Sequence, residues 1–248
     1  MPLDLTPIRC LSDNYAWLVH GAGQTALIDA PEAGPILAAL EQAGCGLDAV
    51  LLTHHHDDHI QAVDEIVTAT GARVLGNGRD AHRLPPLDRA CTAGESLLLC
   101  GEELQVIDVS GHTLGQVAYH FPGSKLAFTA DSLMSLGCGR IFEGDAAMMW
   151  QSLSRLNALP GDTLICSGHD YCAANGAFAL SVEPGNAALK HRLAETAAGR
   201  RACSPSLLSE ERTTNPFLRI APLRTPLGME GATDAEVFAR LRAMKDRF

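Results

Sequence analysis

The sequence predicts an α/β layered domain followed by a helical C-terminal domain. Two observations predict the layered domain: short apolar runs typical of buried strands recur through the first two-thirds of the chain, and helical patterns lie between and beside them. The third observation is a change near residue 170, beyond which helical patterns continue and no convincing strand remains. We therefore expect two domains, residues 1–169 and residues 170–248.

Eight strands are expected in the first domain, several of them nearly continuous in apolar side chains, as in strands covered on both faces. They span residues 16–19, 25–29, 49–53, 73–75, 104–110, 117–120, 125–129 and 163–166.

Helices are expected beside these strands and through the C-terminal part. Pro35 suits the first turn of a helix over residues 34–43, and an apolar face at helical spacing follows from residue 60 to residue 67. The C-terminal helices are expected over residues 173–182, 186–200 and 233–247. Thr233 ahead of Glu236 forms a capping-box pattern, which places the start of the last helix.

Composition restricts the partners of the protein. The 248-residue chain carries a formal net charge of −10 at pH 7, which disfavours nucleic acid and anionic membranes because association would begin against a repulsive field. The first residues contain no basic region followed by an apolar stretch, and no apolar run is long enough to span a bilayer. We therefore expect a cytoplasmic protein that binds a small molecule, and the few aromatic residues favour a monomer.

The cysteines predict free thiols. The chain has eight of them, none in a C-x-x-C pair, and most stand inside apolar strings such as residues 164–166. Buried free thiols are usual in a reducing compartment, and a chain of this length does not need disulfides to fold. We therefore expect no disulfide.

The candidate site begins at the segment His-His-His-Asp-Asp-His, residues 54–59, which directly follows a predicted strand. In an extended chain residues two apart point the same way, so His54 and His56 can converge on one ion while the histidine between them points elsewhere. Asp58 and His59 follow where the chain turns into a helix, and they can present ligands to a neighbouring position. The segment therefore has room for two metal ions.

The same arrangement recurs at three later strand ends, where His112, Asp131 and His169 follow apolar strands. Functional crevices in open α/β sheets lie beyond the carboxyl ends of strands, so four segments can deliver ligands to one rim. Imidazole nitrogens and carboxylate oxygens without thiolates suit zinc, iron or manganese at a catalytic site. The alternative is that residues 54–59 form a solvated polar turn and that His112, Asp131 and His169 are unrelated to it. Three metal-capable residues would then follow strand ends by chance.

With the three later residues, the pattern H-x-H-x-D-H at residues 54–59 resembles the signature of the metallo-β-lactamase superfamily. The resemblance implies a four-layer αββα sandwich with two divalent metal ions at one edge, zinc in the first instance and iron or manganese as alternatives. It also implies a ligand set in three groups: His54, His56 and His112 for one metal, Asp58, His59 and His169 for the other, and Asp131 bridging both.

Other segments resemble the glyoxalase II family of this superfamily and, with the ligand motifs, cover nearly the whole chain. They are Ser12-Asp13-Asn14-Tyr15, residues 137–144, Gly168-His169-Asp170-Tyr171, residues 215–219 and residues 245–248. The resemblance extends through the C-terminal helical domain, which is the feature that discriminates this family from other members.

Membership of this family would imply hydrolysis of S-(2-hydroxyacyl)glutathione thioesters, typically S-D-lactoylglutathione, in methylglyoxal detoxification. The products would be glutathione and a 2-hydroxy acid, D-lactate. The nucleophile would be a metal-bridging hydroxide, with Asp58 as the catalytic residue that orients it and handles its proton.

The resemblance also implies a glutathione site, since in this family a glycine-rich segment and an NPF segment hold the glutathione part of the substrate. Matching positions here give Arg140, Phe142, Tyr171 and Arg219 as substrate-binding residues. Glutathione carries two carboxylates, and guanidinium groups can hold a carboxylate with two parallel hydrogen bonds. The alternative for either arginine is a surface ion pair.

The sequence departs from the family pattern at this site. Arg140 and Phe142 stand where lysine and tyrosine are common in the family, so the charge is kept and a phenolic hydroxyl is lost. Pro222 stands near the position of a second basic residue found in some members, which Arg224 or Lys245 could replace.

Two other functions remain alternatives at this point. A glutathione persulfide dioxygenase, or another hydrolase of the same superfamily, would share the fold; the dioxygenase would use one iron and consume oxygen. The NPF segment and the helical C-terminal domain speak against it. A diiron redox protein is a second alternative, but no flavin-binding domain fits within 248 residues.

Overall fold

Two six-stranded β-sheets face each other in the protein, in a computed structural model that describes residues 2–248. The first sheet has the spatial order β1 (Asp4–Cys10), β2 (Asn14–Gly21), β3 (Gln24–Ile28), β4 (Ala49–Leu52), β5 (Arg73–Asn77) and β6 (Arg89–Cys91). The second sheet contains β7 (Ser96–Leu99), β8 (Glu102–Asp108), β9 (Val117–Phe121), β10 (Leu126–Ala130), β13 (Leu164–Ser167) and β14 (Ser206–Leu207), in the spatial order β14-β13-β10-β9-β8-β7. A separate hairpin pairs β11 (Leu133–Met134) with β12 (Gly137–Cys138).

The helices of residues 2–248 are α1 (Ala33–Ala43), α2 (Asp57–Ile60), α3 (Val63–Thr70), α4 (Ala146–Asn157), α5 (Cys172–Val182), α6 (Ala187–Ala197), α7 (Leu208–Thr214), α8 (Ile220–Leu223) and α9 (Asp234–Lys245). Within the described residues, no helix has both the length and the apolar character needed to cross a membrane.

Alternate side chains of the strands divide between two cores, as the twofold period of a β-strand requires. In β4, Leu51 joins the core between the two sheets, where Tyr119 of the second sheet is also buried. Its neighbour Val50 joins an outer core together with Ile36 of α1 and Ile66 of α3. Each such buried side chain contributes about 1.5–3 kcal/mol to burial free energy, so both faces of this sheet are held by apolar packing.

The second sheet is covered on its outer face in the same way. Ala127 of β10 lies in one apolar cluster with Leu153 of α4, Phe217, and Phe238 of α9. Helix, sheet, sheet and helix are therefore stacked in four layers. This confirms the αββα metallo-β-lactamase sandwich with a helical C-terminal region.

The eight predicted strands are all present, with ends that differ by a few residues. Strand β1 was not predicted, because it is an edge strand with several exposed side chains and Pro7 at its centre. The short strands β6, β7, β11 and β12 were not predicted either. Helix α4 was also not predicted; it begins where the Asp145 carboxylate accepts a hydrogen bond from the Met148 amide at 2.8 Å. The apolar face predicted from residue 60 to residue 67 is divided between two helices, α2 and α3.

Two predictions about the C-terminal part were wrong. Cys172 and Cys203 form a disulfide, although a sequence separation of 31 and the absence of a C-x-x-C motif gave no local signal for it. Closing a loop of this length stabilises the fold by about 3–4 kcal/mol in the chain-entropy model. A short strand also lies beyond residue 170, since β14 pairs with β13 at the edge of the second sheet. The other six cysteines are free thiols, as expected.

Helix α7 and the turn after it hold the β11–β12 hairpin in place. The Glu211 carboxylate accepts a hydrogen bond from the Leu136 amide at 2.9 Å. The Asn215 side-chain amide donates to the carbonyl oxygens of Met134 and Gly137 at 3.1 and 2.9 Å. The C-terminal helices therefore position a hairpin that lies beside the candidate site.

Candidate metal centre and substrate groove

Four chain segments bring histidine and aspartate side chains to one edge of the sandwich, each just beyond the carboxyl end of a strand. Residues 54–59 follow β4 of the first sheet, while His112, Asp131 and His169 follow β8, β10 and β13 of the second. The strand-end positions seen in the sequence thus meet in space.

The first group of ligand atoms comes from His54, His56 and His112, whose nitrogens all lie within 4.8 Å of one another. His56 Nδ1 is 3.2 Å from His54 Nε2 and 3.0 Å from His112 Nε2. Burial lowers the pKa of all three histidines, and for the fully buried His54 the shift is large. The imidazoles are therefore held neutral, which is the form that binds a metal ion.

The second group comes from Asp58, His59 and His169, whose ligand atoms also lie within 4.8 Å of one another. His169 Nε2 is 3.3 Å from His59 Nε2 and 3.4 Å from Asp58 Oδ2. The Asp58 side chain is 43% exposed, so this carboxylate reaches solvent while both imidazoles are buried.

Asp131 lies between the two groups. Its Oδ2 atom is 3.6 Å from His112 Nε2 and 3.3 Å from His169 Nε2, and its Oδ1 atom is 3.5 Å from His59 Nε2. Burial alone would raise the pKa of Asp131, but His59 and His169 hold it well below its usual value. Oδ1 is buried and has no hydrogen-bond partner within the described chain. A buried carboxylate oxygen without a partner is costly, and a metal ion would satisfy it.

The outward nitrogens of these histidines are fixed by other residues. His59 Nδ1 lies 2.8 Å from Asp29 Oδ2, and His169 Nδ1 lies 2.8 Å from Asp13 Oδ1. His112 Nδ1 lies 2.8 Å from the Arg140 carbonyl oxygen. With Nδ1–H donating to these oxygens, each Nε2 presents its lone pair to the centre, as in metal-binding histidines generally.

Asp29 and Asp13 are functional residues that the sequence prediction missed. Asp29 stands directly after β3, which is the same strand-end position that marks the ligands. Asp13 belongs to the segment Ser12-Asp13-Asn14-Tyr15, which is one of the segments that resemble the glyoxalase II family. Position in the sequence could therefore have indicated both.

His55 points away from the centre, as predicted from the alternation of an extended chain. Its Nδ1 atom lies 3.1 Å from Asp80 Oδ2, and its Nε2 atom lies 3.6 Å from Glu143 Oε1. Arg83 bridges the same two carboxylates. Because the Glu143 carboxylate also accepts a hydrogen bond from the Leu114 amide at 2.7 Å, the network ties the ligand segment to the loop that follows His112.

A groove of about 280 Å³ opens beside the centre and receives three of the four predicted substrate-binding residues. Its lining residues are His112, Asp131, Met134, Cys138, Gly139, Arg140, Phe142, Tyr171, Asn175, Arg242 and Lys245. We call it the basic groove, because it contains Arg140, Arg242 and Lys245. The Arg242 guanidinium also donates to the Cys138 carbonyl oxygen at 2.9 Å and contacts Asp246, so it supports the groove wall.

The structure places the fourth predicted residue, Arg219, outside the basic groove. Its guanidinium forms a two-point ion pair with Glu183, at 2.8 and 2.9 Å. Phe217 of the same NPF segment is fully buried in the apolar cluster below. The Arg219 guanidinium is therefore engaged by Glu183, which corresponds to the ion-pair alternative that the sequence left open. Its contact with substrate stays a prediction.

A second groove, of about 450 Å³, continues from the first across the metal centre. We call it the acidic groove; its residues are His56, Asp57, Asp58, His112, Asp131, Phe142, His169 and Tyr171. Two exposed aromatic rings stand at the junction. Phe142 packs edge-on against His56 and His112, and Tyr171 stacks on His169 with ring centroids 4.7 Å apart.

Comparison with known proteins gives consistent matches over the whole chain. The metallo-beta-lactamase superfamily matches residues 11–169, and the hydroxyacylglutathione hydrolase C-terminus matches residues 170–248. Proteins named hydroxyacylglutathione hydrolase from Cereibacter sphaeroides and Fuscovulum blasticum are 55% and 57% identical, over 100% of this chain and of each relative. Among solved structures, TTHA1623 in a di-iron-bound form shares 25% identity and a TM-score of 0.65, covering 87% of this chain and 100% of its own.

Proposed function

Since this chain belongs to the hydroxyacylglutathione hydrolases of the metallo-beta-lactamase superfamily, we propose that the residues at the sheet edge form the active site of this thioester hydrolase. The reaction is hydrolysis of S-(2-hydroxyacyl)glutathione to glutathione and a 2-hydroxy acid. S-D-lactoylglutathione is the typical substrate, and D-lactate is then the acid. The dioxygenase alternative is not favoured, because the full-length relatives are named as hydrolases.

The histidine-rich centre is a binuclear metal site. In our proposal His54, His56 and His112 hold one ion, Asp58, His59 and His169 hold the other, and Asp131 contributes to both. The unpartnered Asp131 Oδ1 and the absence of thiolate donors support this assignment. We propose zinc, while iron and manganese suit the same donors. When bound, two such ions lower the pKa of a water between them and polarise a carbonyl oxygen.

Asp58 is proposed as the residue that orients the attacking water and accepts its proton. Its Oδ2 atom receives a hydrogen bond from the Asn14 side-chain amide at 3.0 Å, which fixes the carboxylate at the rim of the acidic groove. Departure of the thiol needs little acid assistance, since thiolates of pKa about 8.5 are tolerable leaving groups. A serine or cysteine nucleophile is not required, because a water activated by bound metal ions would be the attacking group.

The observation that carries the proposal is that the basic groove runs directly into the metal centre, sharing His112, Asp131, Phe142 and Tyr171 with the acidic groove. Glutathione bound there would place its carboxylates near Arg140 and Lys245 and its sulfur near the centre. In a chain of net charge −10, such local cations are needed to bind an anionic substrate.

Lys245 replaces Arg219 in this assignment, and the exchange can be tested. We expect Lys245→Ala to raise KM for S-D-lactoylglutathione by about tenfold with little change in kcat, because the lost charge-assisted contact is remote from the reacting carbon. Lys245→Arg should retain most of the affinity. Arg219→Ala is the matched control: it should lower stability and leave KM unchanged. The reverse pattern, with KM raised only by Arg219→Ala, would contradict the assignment.

The activity itself is tested by the initial rate of S-D-lactoylglutathione hydrolysis, followed as loss of thioester absorbance. We expect a turnover on the order of ten per second or more from the metal-loaded protein. A chelator should abolish it, and added divalent zinc should restore it. Negligible turnover with both metal positions shown to be filled would refute the proposed site.

The proposed setting is the cytoplasm, with the enzyme acting as a monomer. A glutathione thioester substrate and the six free cysteines support the setting, while the Cys172–Cys203 disulfide is an exception to the thiols that the glutathione pool keeps reduced there. Phe142 and Tyr171, two of the large exposed apolar residues, belong to the grooves, which leaves fewer candidates for a subunit interface. The division into domains at residues 1–169 and 170–248 stays a proposal.

A further inference from the structure

The two grooves define a direction for the substrate. Four residues at the metal centre, His112, Asp131, Phe142 and Tyr171, line both of them. If glutathione occupies the basic groove, as in the proposed function on which this inference rests, the thioester lies over these shared residues. The acyl group must then extend into the acidic groove on the other side.

The charges of the two grooves are opposite. Arg140 and Lys245 line only the basic groove, whereas Asp57 and Asp58 line only the acidic one. Asp58 is occupied by Asn14 and His169. Asp57 is exposed, and no hydrogen bond or ion pair to another side chain holds its carboxylate anywhere in residues 2–248. Its negative charge therefore acts on a ligand in the acidic groove and on solvent.

We infer that Asp57 is a specificity-determining residue, which disfavours acyl groups that carry a carboxylate relative to neutral acyl groups such as hydroxyacyl chains. An anionic acyl group would be drawn toward the metal centre, whose bound ions carry positive charge. A carboxylate at the groove wall opposes that attraction through like-charge repulsion, which is a means of specificity by an unfavourable contact. Neutral hydroxyacyl groups meet no such repulsion.

The test compares two thioesters, S-succinylglutathione with a terminal carboxylate and S-butyrylglutathione of the same chain length without one. We expect the ratio of kcat/KM for butyryl over succinyl to fall by about threefold to fivefold in Asp57→Asn, the size typical of one exposed charge pair. Added salt should lower this ratio in the wild-type protein, because it screens the repulsion between Asp57 and the succinyl carboxylate, and it should have less effect on the variant. Using the ratio within each protein cancels effects of the substitution on turnover or metal binding.

Asp64→Asn is the matched control, because Asp64 is an exposed aspartate of α3 that lines neither groove. It removes the same net charge and should leave the ratio at the wild-type value. If Asp57→Asn also leaves the ratio unchanged while the wild-type protein hydrolyses both thioesters, the specificity role is refuted and the proposed function stands. If the metal-loaded wild-type protein hydrolyses no glutathione thioester, the proposed function itself fails.

Discussion

Replacing Asp58 by alanine should lower kcat for S-D-lactoylglutathione by about 10²- to 10⁴-fold, the contribution typical of a positioned acid–base group. The carboxylate is held by the Asn14 amide at 3.0 Å, faces the acidic groove and is 43% exposed, so no core packing depends on it. The denaturation midpoint of the metal-free variant should therefore remain close to that of the metal-free wild-type protein. The measurements are steady-state kinetics, thermal denaturation and metal content by atomic emission.

Metal content separates the two roles that Asp58 combines. Asp58→Asn keeps the shape of the side chain and weakens its basicity, so it should reduce kcat in protein that retains both ions. Loss of one ion together with activity would instead assign Asp58 mainly to metal binding. Wild-type turnover from Asp58→Ala with both positions filled would remove the residue from the mechanism.

Replacing Glu211 by alanine should lower the free energy of unfolding by about 3–5 kcal/mol, because it removes the nearest and fully buried counterion of the Arg192 guanidinium. Both side chains are essentially inaccessible to solvent, and their charged atoms lie 2.5 Å apart. Glu211 also accepts hydrogen bonds from Ser206 Oγ at 2.6 Å and from the Leu136 amide. Chemical denaturation followed by circular dichroism measures the loss.

Glu210→Ala is the matched control for this prediction. Glu210 is the neighbouring residue with the same charge; it is partly exposed, pairs with Arg201, and its Oε2 atom lies 3.5 Å from Arg192 Nε. Its replacement should cost clearly less than that of Glu211, because Arg192 keeps its shorter contact with Glu211 and partly exposed ion pairs contribute little. Equal losses of unfolding free energy in the two variants would contradict this prediction, because the buried ion pair would then stabilise the fold no more than the other one. Because Leu136 belongs to the hairpin beside the basic groove, Glu211→Ala should also raise KM in protein that remains folded.

The sequence determined the parts of this protein that depend on local periodicity. Short apolar runs predicted eight strands, but they missed the edge strand β1, where several side chains are exposed, and the shortest strands such as β6 and β7. The candidate ligands could be found for the same reason: each directly follows a strand, and strand ends meet at one edge of a sheet. His54 and His56 lie close together because they are two residues apart in an extended segment. His112 joins them because it follows the end of a strand in the other sheet.

Only the tertiary structure decided which partners meet across long stretches of chain. The ion pair of Arg219 is one example, since its guanidinium lies 2.8 Å from the carboxylate of Glu183, 36 positions away in the sequence. The disulfide between Cys172 and Cys203, the fixing of His59 by Asp29 and the placement of Lys245 at the groove are of the same kind. A long charged side chain takes the partner that packing places near it, and packing between distant segments leaves no periodic signal in the sequence.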